Sequence, residues 1–433
     1  MRVKLLLASL LLSAALTSCG PTRPAPVKVV VLKFNEATRR YAPATVELTT
    51  VEDIVTLQGP VAKLLGGAKI VVDSADPNLQ PGVLGTDPEK ARKSVVKDEG
   101  GPVKVQWIDR AGVLTPADFH SLNLATTYYN FEQAFGFFEK VGGLKQSDFG
   151  TPNVYYFSDV SFDGSTQAKD NAFFFSLVNG FLILPFDVLQ QVPLSINLGV
   201  LGHEYTHRVF NYRVFDNALF PPVLLNWSSG FAETPGLNLL KSLDEGLADT
   251  FGTGVTCAAD LSTCNPEFIG LSLPPPHPDA RRLDKPHCMT QALQTSMLSS
   301  TGGTFTGTAS QYVVGTILGS SLWRAANDAA VVQKLTVGEA RKQLYQGLYR
   351  SLAGGGTGTG IRELVAAAVN DQSQFRLDTT PTTKGVLDVF VEGMTDPLLK
   401  SSVCSAFMDR FGYSLADLKS CPATAKSYND CPR

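Results

Sequence analysis

The alternation of hydrophobic and polar positions changes period along this chain, and the changes mark out its elements. From Lys28 to about Asp109, short β-branched runs (KVVVLKF, ATVELTT, AKIVV, VKVQWI) are separated by Gly, Pro and Asp turns, a pattern that predicts strands. From Pro116 to about Gly143 the period lengthens. DFHSLNLATTYYNFEQAFGFFEKVGG places apolar side chains at helical spacing and stops on Gly-Gly, which predicts one long helix. The greasy stretch NAFFFSLVNGFLILPF is broken by Asn179, Gly180 and Pro185 into strand-length pieces, so it does not read as a membrane span. After Asn197 a helix is expected, and from Pro235 helical periods dominate: GLNLLKSLDEGLADTFG, QYVVGTILGSSLWRAAND, TVGEARKQLYQGLYRSL, IRELVAAAV and the segment before Cys404, joined by polar loops such as SSTGGTFTGTAS and AGGGTGTG. The expectation is an α+β fold of two lobes, with a strand-rich N-terminal lobe over 28–210, a helical C-terminal lobe over 211–433, and a site in the cleft between them.

Composition narrows the possible partners. With 433 residues, 44% hydrophobic and 18% charged, the chain can bury a large core. Its net charge of −3 and the absence of a Lys/Arg-rich stripe argue against nucleic acid. At the N-terminus, Arg2 and Lys4 precede an apolar run from Leu5 to Leu16, the pattern of an export signal over 1–18. Leu16-Thr17-Ser18-Cys19 resembles the bacterial lipoprotein cleavage site, which implies an acylated Cys19 as membrane anchor, with Pro-rich residues 19–27 as a tether. Gly20 after that cysteine, by resemblance to Gram-negative sorting, points to the outer membrane, with its face left open. The six other cysteines suggest disulfides: Cys257 with Cys264, and Cys404 with Cys421 or Cys431, the full connectivity remaining open.

The chemistry concentrates in Gly202-His203-Glu204-Tyr205-Thr206-His207. H-E-x-x-H on a helix puts two imidazoles on one face, where both can reach a single Zn²⁺, with Glu204 beside the water to be activated. Among only five histidines this pattern is unlike chance. The longer metzincin pattern is excluded, because Phe210 and Arg213 stand where it needs Gly and His. A catalytic zinc needs a third protein ligand. Downstream, Ser242-Leu243-Asp244-Glu245-Gly246-Leu247-Ala248-Asp249 sets Glu245 and Asp249 one helical turn apart, offering a ligand and an acceptor behind a ligand imidazole.

With these residues in view, the chain resembles the thermolysin-like and fungalysin-like gluzincin zinc metallopeptidases over about Asp118 to Trp323. The resemblance implies His203, His207 and Glu245 as zinc ligands, Glu204 as general base and Asp249 as the residue orienting the first histidine. It further implies that Asn171 and Ala172, in DNAFFFS, contact the substrate backbone, that Val200 lines the pocket for the side chain after the scissile bond, and that Arg281 binds the substrate carbonyl. Gly315, Gly319, Leu322 and Trp323 fit the fungalysin helix that contributes a transition-state histidine, but this chain carries Tyr312 at that position, whose phenol can donate in its place. No pro-region can be assigned, and no acidic calcium-loop pattern is present, which leaves Ca²⁺ without sequence support. His277 and His287 lie in Pro-flanked loops, and His120 belongs to the long helix.

The function expected is a zinc endopeptidase, monomeric and lipid-anchored, acting on a peptide or protein and preferring a hydrophobic residue after the cleaved bond. The rival is a peptidase-like surface lipoprotein that binds without turnover, for which Tyr312 and the missing pro-region speak.

Overall fold

A computed structural model describes residues 26–164, 168–187, 192–227, 234–272, 281–298, 311–354 and 358–432. The expected signal segment, Cys19 and His277 lie outside the described residues. Every described strand precedes Leu184, and the described chain beyond it is helix and loop, so the fold is mixed α+β with its strands in the N-terminal part.

Three sheets form that part. Val27–Asn35 and Arg40–Leu48 make an antiparallel hairpin, joined through Val29 and Leu114 to the pair Val113–Pro116 and Trp107–Arg110. A larger sheet runs in the order Ala172–Phe175, Gly180–Ile183, Asn153–Tyr156, Ala62–Gly66, Gln58–Gly59. Its edge strand, Ala172–Phe175, pairs antiparallel with Gly180–Ile183. The turn between them passes through Asn179 in the left-handed region (φ 48°), a conformation that Asn tolerates. Asp159–Phe162, Lys69–Val72 and Val96–Asp98 complete the third sheet.

Two expectations for this region need correction. Of VKVQWI only Trp107 and Ile108 enter a strand, and the stretch read as strands and turns also contains the helices Pro81–Thr86 and Pro88–Val95. The second helix carries ordinary start signals, an Asp87 side chain accepting from Lys90 N–H and a proline in its first turn. Strand-like Val95 and Val96 mask them.

The long helix Phe119–Gly142 is capped by Asp118, which accepts from Ser121 N–H at 2.8 Å, and ends on Gly143 at φ 66°. It is buried on most of its circumference, because it packs on both the first two sheets and the helical part. Asn197 caps the next long helix, Leu198–Phe215, by accepting from Gly199 and Val200 N–H. This helix continues past the expected boundary at 210/211. Its neighbour is Pro235–Thr256, which in turn crosses Gln311–Ala326. At that crossing Gly246 and Gly315 touch backbone to backbone: a Cβ on Gly246 would lie 2.5 Å from the Gly315 carbonyl oxygen. The glycine pair therefore lets the helix bearing Tyr312 approach the helix bearing Glu245.

Three disulfides close the described structure: Cys257–Cys264, Cys404–Cys421 and Cys288–Cys431. No helix among the described residues is long and apolar enough to cross a membrane.

Candidate metal centre

Helix Leu198–Phe215 brings His203, Glu204 and His207 to one wall of a cavity of about 450 Å³, and helix Pro235–Thr256 adds Glu245. Both histidines have a carboxylate at Nδ1. Asp249 Oδ1 lies 2.9 Å from Nδ1 of His203, and Asp244 Oδ1 lies 2.9 Å from Nδ1 of His207. In their neutral forms both imidazoles would present Nε2 lone pairs to the same point, the Nδ1 of His203 hydrogen-bonded to Asp249 and that of His207 facing Asp244. The two Nε2 atoms are 3.1 Å apart, and Glu245 Oε2 is 3.3 Å from the first and 4.0 Å from the second. A tetrahedral ion with bonds of about 2.0–2.1 Å would hold its ligand atoms roughly 3.3–3.4 Å apart. These three residues therefore fit a metal ion, and among the described residues they are the one such group.

Glu204 sits beside this triad. Its Oε2 accepts from Phe174 N–H on the edge strand at 2.9 Å, leaving Oε1 on the triad's side, 3.9 Å from His203 Nε2. Burial raises its pKa, which makes it a stronger proton acceptor than an exposed carboxylate. Asp249 is buried and bonded bidentately by Arg281, Nε to Oδ2 at 3.0 Å and a terminal nitrogen to Oδ1 at 2.6 Å. Burial opposes the charge on Asp249, but Arg281 and His203 hold its pKa below the ordinary value. Arg281 also reaches Glu245 at 3.4 Å, and its guanidinium lies 4.4 Å from the centre of the Tyr312 ring. Burial opposes the charge on His207 too, yet Asp244 pushes its pKa up to about 10. Glu245, then burial, pushes Tyr312 up to about 12, so its phenol keeps its proton and remains a donor.

Four carboxylates thus cluster with one guanidinium and two imidazoles: Glu204, Asp244 and Glu245 line the same cavity as Arg281, His203 and His207, and Asp249 bonds His203 and Arg281. Protons on the histidines offset this negative charge in part, and a divalent cation would do so more completely.

Asn171 precedes the edge strand and Ala172 begins it; both line the cavity, the Asn171 side chain accepting from Ala172 N–H. Val200, one turn before His203, packs with Ala172, Leu194 and Phe268 on an apolar arm of the same cavity. Tyr312 and Arg281 line it as well, although Arg281 is engaged with Asp249. His120 bonds the Tyr156 hydroxyl and His287 the Arg282 carbonyl, both away from this group. Two contributors carry no readable sequence signal. Asp244 stands next to Glu245, but adjacent helical residues diverge, so spacing alone does not direct it to His207. The Phe174 N–H has no side-chain signature at all.

No protein-family model and no curated protein matches the chain. Among solved structures it is similar to the precursor of protealysin, a metalloproteinase from Serratia proteamaculans, with 12% identity over 79% of this chain and 86% of that one, at a TM-score of 0.43. That likeness is too loose to transfer chemistry.

Proposed function

We propose that this protein is a zinc-dependent endopeptidase, its two lobes flanking a cleft that holds a peptide against the edge strand Ala172–Phe175. The observation that carries the reading is the convergence of two Nε2 atoms and one carboxylate oxygen at 3.1, 3.3 and 4.0 Å, with Glu204 beside them. Two nitrogens and one oxygen, with the fourth position open to solvent or substrate, form a donor set typical of catalytic zinc.

Bound by His203, His207 and Glu245, zinc would supply Lewis acidity to a water and to the scissile carbonyl. The chain's own residues do the rest. Glu204 takes the water's proton at Oε1 while Phe174 N–H holds Oε2, and then delivers that proton to the leaving amine. Asp249 and Asp244 fix the tautomers of the two histidines. Tyr312 donates to the oxyanion as it develops, and Arg281, within the same cavity, adds positive charge nearby. The free side of the edge strand bonds substrate backbone, and the arm around Val200 receives an apolar side chain after the scissile bond. Three disulfides suit an exported protein, in keeping with lipid attachment through Cys19 at an outer membrane.

The binding-lipoprotein reading draws on one observation, the engagement of Arg281 by Asp249 and Glu245 rather than a free guanidinium facing the substrate. One experiment separates the two: hydrolysis of a mixed fluorogenic peptide library by zinc-loaded protein beginning at Gly20, against Glu204→Gln. Chelator-sensitive cleavage that falls roughly 10²–10⁴-fold in the variant supports the peptidase. Folded, zinc-loaded protein that cleaves nothing refutes it.

A further inference from the structure

A second pocket of about 260 Å³, open in part to solvent and lined in part by Lys33, Glu36 and Asp260, adjoins Phe268 on the apolar arm of the cavity. Phe268, 2% exposed, lines both spaces and is the one residue common to their walls. On one side it packs with Ala172, Leu194 and Val200; on the other it borders a space walled by Tyr41, Leu198, Gly199 and Leu271.

The ring is held from several directions. A Cβ on Gly199 would lie 2.3 Å from its Cγ, so the backbone of helix Leu198–Phe215 is already in contact with it. A Cβ on Gly252 would lie 3.1 Å from its Cζ, which places the second helix against the ring's far end. The Phe268 carbonyl accepts from Asn197 Nδ2 at 2.7 Å, tying it to the cap of the helix that carries His203. Its neighbour Glu267 is paired with Arg39 in the first hairpin's turn and with Arg282. The partition is thus anchored on both sides.

We propose that Phe268 sets the depth of the pocket that receives the side chain following the scissile bond, closing off the second pocket so that aliphatic residues fit and large aromatic ones do not. The assignment rests on the peptidase reading and goes beyond it by naming the limiting residue. Two substitutions move the wall in opposite directions. Phe268→Ala joins the two spaces and deepens the substrate pocket. A Cβ on Gly199, a residue lining the second pocket, would lie 2.3 Å from Phe268 Cγ and 2.6 Å from its Cβ, so Gly199→Ala must shift this side chain and is expected to push it toward the apolar arm, making the substrate pocket shallower.

The test is kcat/KM of the zinc-loaded protein on peptides differing only in the residue after the scissile bond: Ala, Val, Leu, Phe or Trp. The Trp-to-Leu ratio is expected to rise about tenfold or more in Phe268→Ala, and the Leu-to-Ala ratio to fall by a similar factor in Gly199→Ala. Ratios cancel any loss of zinc or folded protein common to all substrates. Should Phe268→Ala fail to fold, Phe268→Leu is expected to raise the Trp-to-Leu ratio by a smaller factor.

Ratios unchanged within about twofold in hydrolytically competent variants overturn the assignment and leave the peptidase reading standing. No hydrolysis by the unsubstituted protein overturns that reading and the specificity assignment with it. Indole binding, followed by thermal shift, then decides separately whether Phe268 is the partition: a melting point raised in Phe268→Ala alone supports it, and equal responses refute it.

Discussion

Replacing Asp249 by Ala tests whether the residue behind a ligand histidine acts on metal and fold as two separable effects. Asp249 is 2% exposed and serves two partners, His203 Nδ1 at 2.9 Å and Arg281 through two bonds. Removing the acceptor frees the His203 ring to turn and to protonate Nε2, and loss of such a partner typically weakens metal binding about 10–100-fold, or roughly 1.4–2.7 kcal/mol. It also leaves Arg281 with Glu245, 3.4 Å away, as its one remaining acidic contact among the described residues. Stranding one member of a buried pair costs about 3–5 kcal/mol, and since the Arg281 side chain keeps 20% exposure, the lower end applies.

The double variant Asp249→Ala with Arg281→Met removes the stranded charge. It is expected to recover most of the stability, measured by denaturant unfolding of the metal-free protein, and none of the metal affinity, measured by competition with a chromophoric chelator. Recovery of both, or wild-type affinity in Asp249→Ala, would refute the reasoning that His203 depends on this acceptor.

Other predictions concern protons, the oxyanion donor and the disulfides. His207 has a folded pKa of about 10 against 6.5 for a free imidazole, so the stabilisation from its protonated form in the metal-free protein is fully present below pH 6.5 and lost as pH rises through about 10. Metal uptake at about pH 8 must therefore expel that proton: calorimetric zinc titrations in buffers of different ionisation enthalpy should register about one released proton from His207, and affinity should increase with pH up to about 10. Constant affinity between about pH 6 and 9 would contradict this. Tyr312→Phe is expected to lower kcat roughly 10²–10³-fold with little change in KM if the phenol steadies the oxyanion, whereas an unchanged kcat would make it a packing residue. Converting Cys288 and Cys431 to Ser opens a closure spanning 143 residues, and unfolding free energy should fall by about 2–5 kcal/mol. Because the Cys288 disulfide and the Met289 N–H, bonded to the Arg410 carbonyl, tether the loop bearing Arg281, KM should rise as well.

Much of this protein is legible without its fold. The long helix after Asp118, the H-E-x-x-H helix and the broken strands of NAFFFSLVNGFLILPF are legible from local signals, namely a Gly-Gly stop, a ligand spacing that only a helix brings to one face, and breaks at Asn179, Gly180 and Pro185, although the elements themselves are buried on most sides. Helix Pro88–Val95 stays hidden although its cap and proline are in plain view, since Val95 at its end and Val96 opening the next strand give the stretch a strand-like look. What tertiary structure alone decided is which distant groups meet. Asp244 turns to His207, Phe174 lends a backbone N–H to Glu204, Arg281 crosses 32 positions to Asp249, Cys288 joins Cys431 and Phe268 lines two pockets. Each depends on the relative placement of separate elements, which is set by packing and chain closure rather than by any pattern within one segment, and so leaves no periodic trace in the sequence.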